Sequence, residues 1–358
     1  MTETLRSTFP ELYRDILPAL FDQPAPREEK ATCASCAMCP SGDAPTSSDV
    51  VHFRPDAKCC TYHPKLPNYL LGAILRDERP DMAEGRRRIQ AKIAARVGVT
   101  PRWIAPPKKL SLLFEASRES SFGRSLVLRC PYYETRGDLC TIWRHRESDC
   151  STFFCKYTAG ADGQLFWKTL GTYLRYVELR LGDHVARSVA PHLVEPTAPR
   201  GQMTLEDLED RPPAAPDYAA IWREWEGREA DFYVACHDRA AAITPGEIEE
   251  ILLADPRHAR NLETLEQALG RVNAPPLPER LVLAPGVAAR PVEGGVLVST
   301  YSRYEPLLLS PDLHEVLKEL GAGETVASFK ERLQREHGVE VPDALLIALH
   351  QMRVLVAP

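Results

Sequence analysis

Cysteine spacing constrains this chain more than any other feature. Cys33, Cys36 and Cys39 follow one another at intervals of three, with Pro40 closing the run, and the adjacent pair Cys59 and Cys60 comes later. Cys130, Cys140, Cys150 and Cys155 form a second block, so nine of the ten cysteines precede residue 156. Thiolates three apart on a turn can converge on one ion or cluster, because the intervening backbone wraps around it. Two thiolates side by side cannot easily point at one mononuclear ion. They suit two metals, or one polynuclear cluster and its neighbour.

Compartment decides how such cysteines are read. The first twenty residues, MTETLRSTFPELYRDILPAL, carry charges throughout and lack the apolar core and small-residue cleavage site of a signal peptide. No uncharged apolar run approaches the roughly 18 residues of a membrane helix. A cytoplasmic protein is therefore expected, with no membrane partner. In a reducing compartment, clustered cysteines bind metal or do redox chemistry more often than they form disulfides. The net charge of −6 supplies no basic field for nucleic acid.

At 358 residues the chain has room for two or three cores. The apolar positions of residues 3–21 fit an amphipathic helix broken near Pro10. Residues 33–67 show little periodicity and many turn-formers, as expected where metal rather than apolar burial fixes the backbone. Residues 68–77 and 81–97 read as helices, the second ending at Gly98. Its Arg86, Arg87 and Arg88 are expected on a solvated face, with phosphate or an acidic partner as the other use. Residues 110–115 and 125–129 resemble short strands.

The aromatic residues Tyr132, Tyr133, Trp143, Phe153, Phe154 and Tyr157 accompany the second cysteine block, where they would shield a cluster from water or fill an ordinary core. Residues 163–181 form the clearest long helix, and recurring prolines over 191–216 mark a linker. Helices follow over 217–242, which carries the isolated Cys236, and from the capping box Thr244-Pro245-Gly246-Glu247 to about Leu253, then over 256–272. The last 80 residues change character. Strands are expected at 281–283, 287–290 and 296–301, with a Gly294-Gly295 hairpin turn, then helices at 311–320, 325–337 and 342–353.

The expected fold class is α+β. A cysteine-rich, metal-organised N-terminal domain (residues 1–190) precedes the linker, a helical middle region (217–274) and a small winged-helix-like C-terminal domain (280–358). The metal-ligand candidates are Cys33, Cys36, Cys39, Cys59, Cys60, Cys130, Cys140, Cys150 and Cys155, with His63 beside them. A Cys-x2-Cys-x2-Cys-Pro run occurs in ferredoxin-type ligation of iron–sulfur clusters, although the next ferredoxin cysteine is missing. Tetrahedral thiolate suits zinc as well. One or two 4Fe–4S clusters and zinc both stay open. No Ser/His/Asp or paired-carboxylate pattern stands out, and no catalytic residue is named.

The order CxxCxxC, then CC, then C…C-x-I-[YW]-x-x-R…C-x-x-F-x-C resembles the bacterial YkgJ-type cysteine-cluster family of zinc- or iron-chelating proteins. Here it falls on Cys33, Cys36, Cys39, Cys59, Cys60, Cys130, Cys140-Thr141-Ile142-Trp143, Arg146, Cys150, Phe153 or Phe154, and Cys155. The family runs its third cysteine straight into the pair, whereas Cys39 and Cys59 stand apart here. A related arrangement in flagellin lysine-N-methylases implies a peptide- or protein-modifying enzyme as an alternative, but no Gly-rich nucleotide or S-adenosylmethionine loop accompanies it.

The C-terminal residues LAPGVAARPVEGGVLVS, LLLSPDLHEVLKEL and TVASFKERLQREHGV resemble PqqD-like domains. That resemblance implies recognition of a peptide or protein partner by strand addition. From residue 281 onward there are seven Lys or Arg against ten Asp or Glu, which disfavours DNA as the partner. The expected function is electron transfer or modification of that partner by a metal-cluster protein. A structural zinc protein with the same partner module is the competing reading.

Overall fold

Prolines decide the first turns of the chain. The computed structural model describes residues 3–13, 16–40, 50–137, 139–193, 203–321 and 323–358. In place of the expected amphipathic helix, Leu5–Thr8, Glu11–Tyr13 and Ala19–Asp22 are three separate 3-10 turns. Pro10 and Pro18 lack the N–H that would carry a continuous ladder past them. The apolar spacing still does its work, since Leu5, Tyr13, Leu20 and Phe21 are all buried. Residues 41–49 of the cysteine loop and 194–202 of the proline-rich joint lie outside the described residues.

The chain divides into two units, each drawn from separated segments. The first comprises Met1–Ala25, Phe53–Phe153 and Leu170–Glu263. Its helices are α1 (Asn68–Arg76), α2 (Ala83–Ala95), α3 (Lys108–Ser121), α4 (Ser148–Thr152), residues 170–189 of α5 (Gly160–Val189), α6 (Leu205–Leu208), α7 (Ala215–Trp222), α8 (Glu229–Ala241) and α9 (Pro245–Leu253). Two antiparallel strand pairs join them: β1 (Leu66–Pro67) with β2 (Trp103–Ile104), and β3 (Tyr133–Glu134) with β4 (Leu139–Cys140).

The core of this unit is α1 laid against α8. Every residue of α1 from Asn68 to Ile74 is buried. Gly72 sets the close approach, because a Cβ there would stand 2.0 Å from the Tyr233 carbonyl oxygen. Tyr69, Tyr173, Trp222, Phe232 and Tyr233 fill the surrounding space. Cys236 is buried in α8, a small apolar side chain in the core.

Residues 110–115, expected as a strand, lie inside α3, and residues 125–129 form a turn rather than a strand. A short apolar run reads alike in either state. Pro107 supplies the extended N-cap of α3, and Leu112 and Leu113 point outward.

The second unit comprises Pro26–His52, Phe154–Thr169 and Thr264–Pro358. In its C-terminal part, β5 (Val282–Leu283) pairs with β9 (Leu355–Val356). The strands β6 (Ala289–Val292), β7 (Gly295–Val298) and β8 (Leu307–Leu309) form an antiparallel sheet in that order. The turn between β6 and β7 is Glu293-Gly294, one residue earlier than expected, with Gly294 at φ +86 and Gly295 opening β7 opposite Val292. The helix α10 (Arg257–Asn273) leads into this part, and α11 (Pro311–Lys318), α12 (Val326–His337) and α13 (Asp343–Gln351) cover a core of Leu281, Val298, Phe329, Leu333 and Leu346. Ser310 and Thr325 cap α11 and α12 through the N–H groups of Leu313 and Ser328. Mixed helices and small sheets make the chain α+β. Among the described residues no helix is long and apolar enough to cross a membrane.

Candidate metal centres

Five of the nine candidate cysteines belong to the first unit and four to the second. In the first, Cys59 and Cys60 sit on a turn that begins at Arg54 and passes through Lys58, whose φ of +50 reverses the chain just before the pair. Two hydrogen bonds bring later segments back to this turn. The Cys130 N–H donates to the Cys60 carbonyl at 2.8 Å, and the Gly123 N–H donates to Thr61 Oγ1 at 2.8 Å.

The β3–β4 hairpin then carries Cys140 opposite Tyr133. The Thr141 N–H and hydroxyl both donate to the Tyr132 carbonyl, each at 2.9 Å. Cys150 lies in α4, where Glu147 is the N-cap and its carboxylate accepts from the Asp149 and Cys150 N–H groups. Charge near the N-terminus of a helix is favourable in that sense.

Two arginines and a glycine hold these pieces in ways that the sequence did not disclose. Arg88 on α2 donates through Nη1 to the carbonyls of Pro131 and Tyr133, both at 2.8 Å, and through Nη2 to Glu134 at 2.9 Å. It therefore clamps the hairpin bearing Cys140 and the segment just after Cys130, instead of lying on a solvated face. Gly85, one turn away, leaves room for the same hairpin, since a Cβ there would stand 2.3 Å from the Thr141 carbonyl oxygen. Arg146 donates to the Cys150 carbonyl at 3.0 Å and stacks 3.4 Å from the Trp143 ring centroid. The resemblance motif contained Arg146 but did not disclose this role.

The five thiols share one electrostatic neighbourhood. A hydrogen bond with Cys60, then burial, raises the pKa of Cys59 well above the usual thiol value. Burial pushes Cys130 up to about 12, with Cys140 and Glu147 adding to the effect and Lys92 opposing it. Burial likewise raises Cys140, against the field of Arg146. Cys150 is raised well above the ordinary value by burial, then by Glu147, Cys130 and Cys140. These shifts favour the neutral thiol at Cys59, Cys130, Cys140 and Cys150, and all five cysteines are free of disulfides. A bound cation reverses the balance by favouring thiolate. Free thiols that lie in one another's field, Cys130 buried and the others half-buried, with Lys92 and Arg146 beside them, fit a thiolate-held metal group.

In the second unit, Cys33, Cys36 and Cys39 follow a segment tied down by Glu28. Its carboxylate accepts from the Thr158 N–H at 2.6 Å and from Trp167 Nε1 at 2.6 Å, and the Glu29 N–H donates to Thr158 Oγ1 at 3.1 Å. These bonds fasten the start of the cysteine loop three residues beyond Cys155. Burial raises the Glu28 pKa, against these donors. The loop turns through the Cys39 N–H donating to the Cys36 carbonyl at 3.0 Å. Cys33 is exposed, and Cys36, Cys39 and Cys155 are half-buried. Phe154 packs 4.7 Å from Trp167, centroid to centroid, and Tyr157 lies close enough to Cys155 to sense its charge.

His63 has Nε2 2.9 Å from the Arg129 carbonyl, and its Nδ1 is buried without a hydrogen bond. Burial, then the charge of Lys92, lowers its pKa and favours the neutral ring. Among the described residues, no three His, Cys, Asp or Glu side chains stand together as a closed metal shell. Compared with known proteins, the chain is matched by no family model, no curated protein and no solved structure.

Proposed function

We propose that this chain is a thiolate metal-cluster protein of the iron–sulfur type with two centres. Cys59, Cys60, Cys130, Cys140 and Cys150 hold one, and Cys33, Cys36, Cys39 and Cys155 hold the other. The observation that carries the reading is the grouping of the thiols, five in one mutual field and four in the other unit. Five thiols, two of them adjacent, exceed what one tetrahedral zinc ion takes, and adjacency suits a polynuclear group. When bound, such a cluster supplies one-electron redox chemistry at a potential tuned by burial and hydrogen bonding. The chain's own part is to fix the thiols and to exclude water, through Arg88, Arg146 and Glu28 and through Phe154, Tyr157 and Trp167.

Within this proposal the C-terminal module is winged-helix-like and recognises a peptide or protein partner. Its sheet has edges at β6 and β8, and Leu308 on β8 is exposed. An added strand could pair there. Reduction or modification of that partner in a reducing cytoplasm is the role assigned.

Anaerobic purification with iron, zinc and acid-labile sulfide measured per chain tests the reading, alongside the visible spectrum. About four iron and four sulfide per cubane centre are expected. Cys36→Ser and Cys150→Ser should each remove one centre's share and leave the other. Unchanged iron and sulfide in both variants, or a colourless chain carrying only zinc, would overturn the iron–sulfur assignment.

A further inference from the structure

A cavity of about 310 Å³ in the first unit lies beside α4 and the β1–β2 pair, at the small end of ligand-sized pockets. Besides the basic Lys65, Arg102 and Arg175, its walls are of two kinds. One is apolar and aromatic, with Trp103, Tyr62 and Leu179; the other is acidic, with Glu147 and Glu178. Both glutamates are buried, at 2% and 6% exposure.

The basic side chains of the wall already have partners. Arg102 Nε lies 2.7 Å from Asp183, and Arg175 pairs with Asp149. Lys65 Nζ stands 3.0 Å from the Trp103 ring centroid, so this ring face already accepts an ammonium. Glu178 accepts from the Ser148 N–H and hydroxyl, both at 2.7 Å, and from the Tyr13 hydroxyl at 3.2 Å. Glu147 accepts from the Asp149 and Cys150 N–H groups. Among the described residues neither glutamate takes part in an ion pair. Both carboxyls line the cavity, and the N–H and O–H donors that reach them leave acceptor lone pairs unfilled.

We propose that this cavity binds a small organic cation, a primary amine on an aliphatic stem. Its ammonium is seated by Glu147 and Glu178, and its stem runs along Trp103, Tyr62 and Leu179. An ammonium offers three donors to lone pairs that the N–H and O–H donors of the wall leave unfilled. An anionic ligand would meet guanidinium groups already paired and carboxyls that take part in no ion pair. The site takes its character from the cavity and its walls, and does not depend on which metal the thiols hold. The same chemistry is presented by a free alkylamine and by a lysine side chain of a peptide.

Calorimetry on the full chain, at constant metal content, tests the proposal with butylamine, Nα-acetyl-lysine amide, butanol and butyrate. Binding of butylamine and the lysine derivative is expected, and not of butanol or butyrate. Binding of the lysine derivative alone would identify a peptide source. Glu178→Gln should weaken amine binding by about tenfold or more, the scale for losing one partner of a buried charge contact. Because Glu178 is buried, a second variant uses the cavity mouth. Leu179 is 47% exposed, and Leu179→Lys, placing a tethered ammonium there, should abolish butylamine binding. Absence of heat with both amines, preference for butyrate, or unchanged amine affinity in either folded variant would overturn the proposal.

Discussion

Replacing Arg88 should loosen the hairpin that carries Cys140 and the turn around Cys130. Its guanidinium donates to two backbone carbonyls and contacts Glu84 and Glu134, with the side chain only 19% exposed. A hydrogen bond from a charged donor contributes roughly 1.5–3 kcal/mol when buried. The partly exposed contacts to Glu84 and Glu134 contribute about 0–1 kcal/mol each. With solvent at one side of the group, Arg88→Ala should cost about 2–4 kcal/mol. Arg88→Lys keeps the charge but presents no fork to two carbonyls, and should lose about half of that. Urea unfolding of the apo chain gives the stability, and the rate of thiol modification by a disulfide reagent gives the local opening. Both variants should expose the thiols of the first unit faster than the parent. A stability loss in Arg88→Ala below about 0.5 kcal/mol, with unchanged thiol rates, would refute the clamp.

Two further tests address the core and the buried acids. Gly72→Ala must push the α1 and α8 backbones apart, given the 2.0 Å approach to the Tyr233 carbonyl, and should cost about 1–3 kcal/mol or more. Gly246→Ala meets nothing within 4 Å in α9 and should be stabilising by up to about 1 kcal/mol; equal melting temperatures for the two variants would contradict this account. Burial raises the Glu178 pKa in the folded chain above its value of 4.5 elsewhere. As pH rises past 4.5, the unfolded chain loses this proton first, so the folded state loses stability until the folded pKa is passed. Relative to Glu178→Gln, the parent should therefore weaken from pH 5 to pH 8 in urea titrations, and an opposite slope would remove the buried-acid reading.

How much of this was legible in the sequence depended on whether the determining contact was local. The helix expected at 68–77 is α1, the one at 163–181 is the middle of α5, and the capping box at Thr244 is present with both reciprocal bonds. Each is set by residues within a few positions of one another. The strand expected at 110–115 failed because four apolar residues in six satisfy either period, while the deciding signals, Pro107 and the polar run to Ser121, lay outside that window. The short strand β8 and the pairing of β5 with β9 depend on partners distant in the chain.

The cysteines themselves were legible as candidates. Their allotment between units was not, because the turn at Cys59-Cys60 meets Cys130 through a backbone bond seventy positions away. Arg88 looked like one charge in a run of three. Glu28 carried no motif at all, although its carboxylate anchors the loop leading to Cys33.

The difference in shelter between the two thiol sets also has a consequence for handling the protein. Cys33 is exposed and Cys130 is buried, while the other cysteines of both sets are half-buried. Oxidants and chelators reach an exposed thiol first. On the two-centre reading, air would strip the second unit's set while the first stayed filled. A preparation holding half its metal would then be one defined species, not a statistical mixture of full and empty chains. Its spectrum would belong to the sheltered set alone.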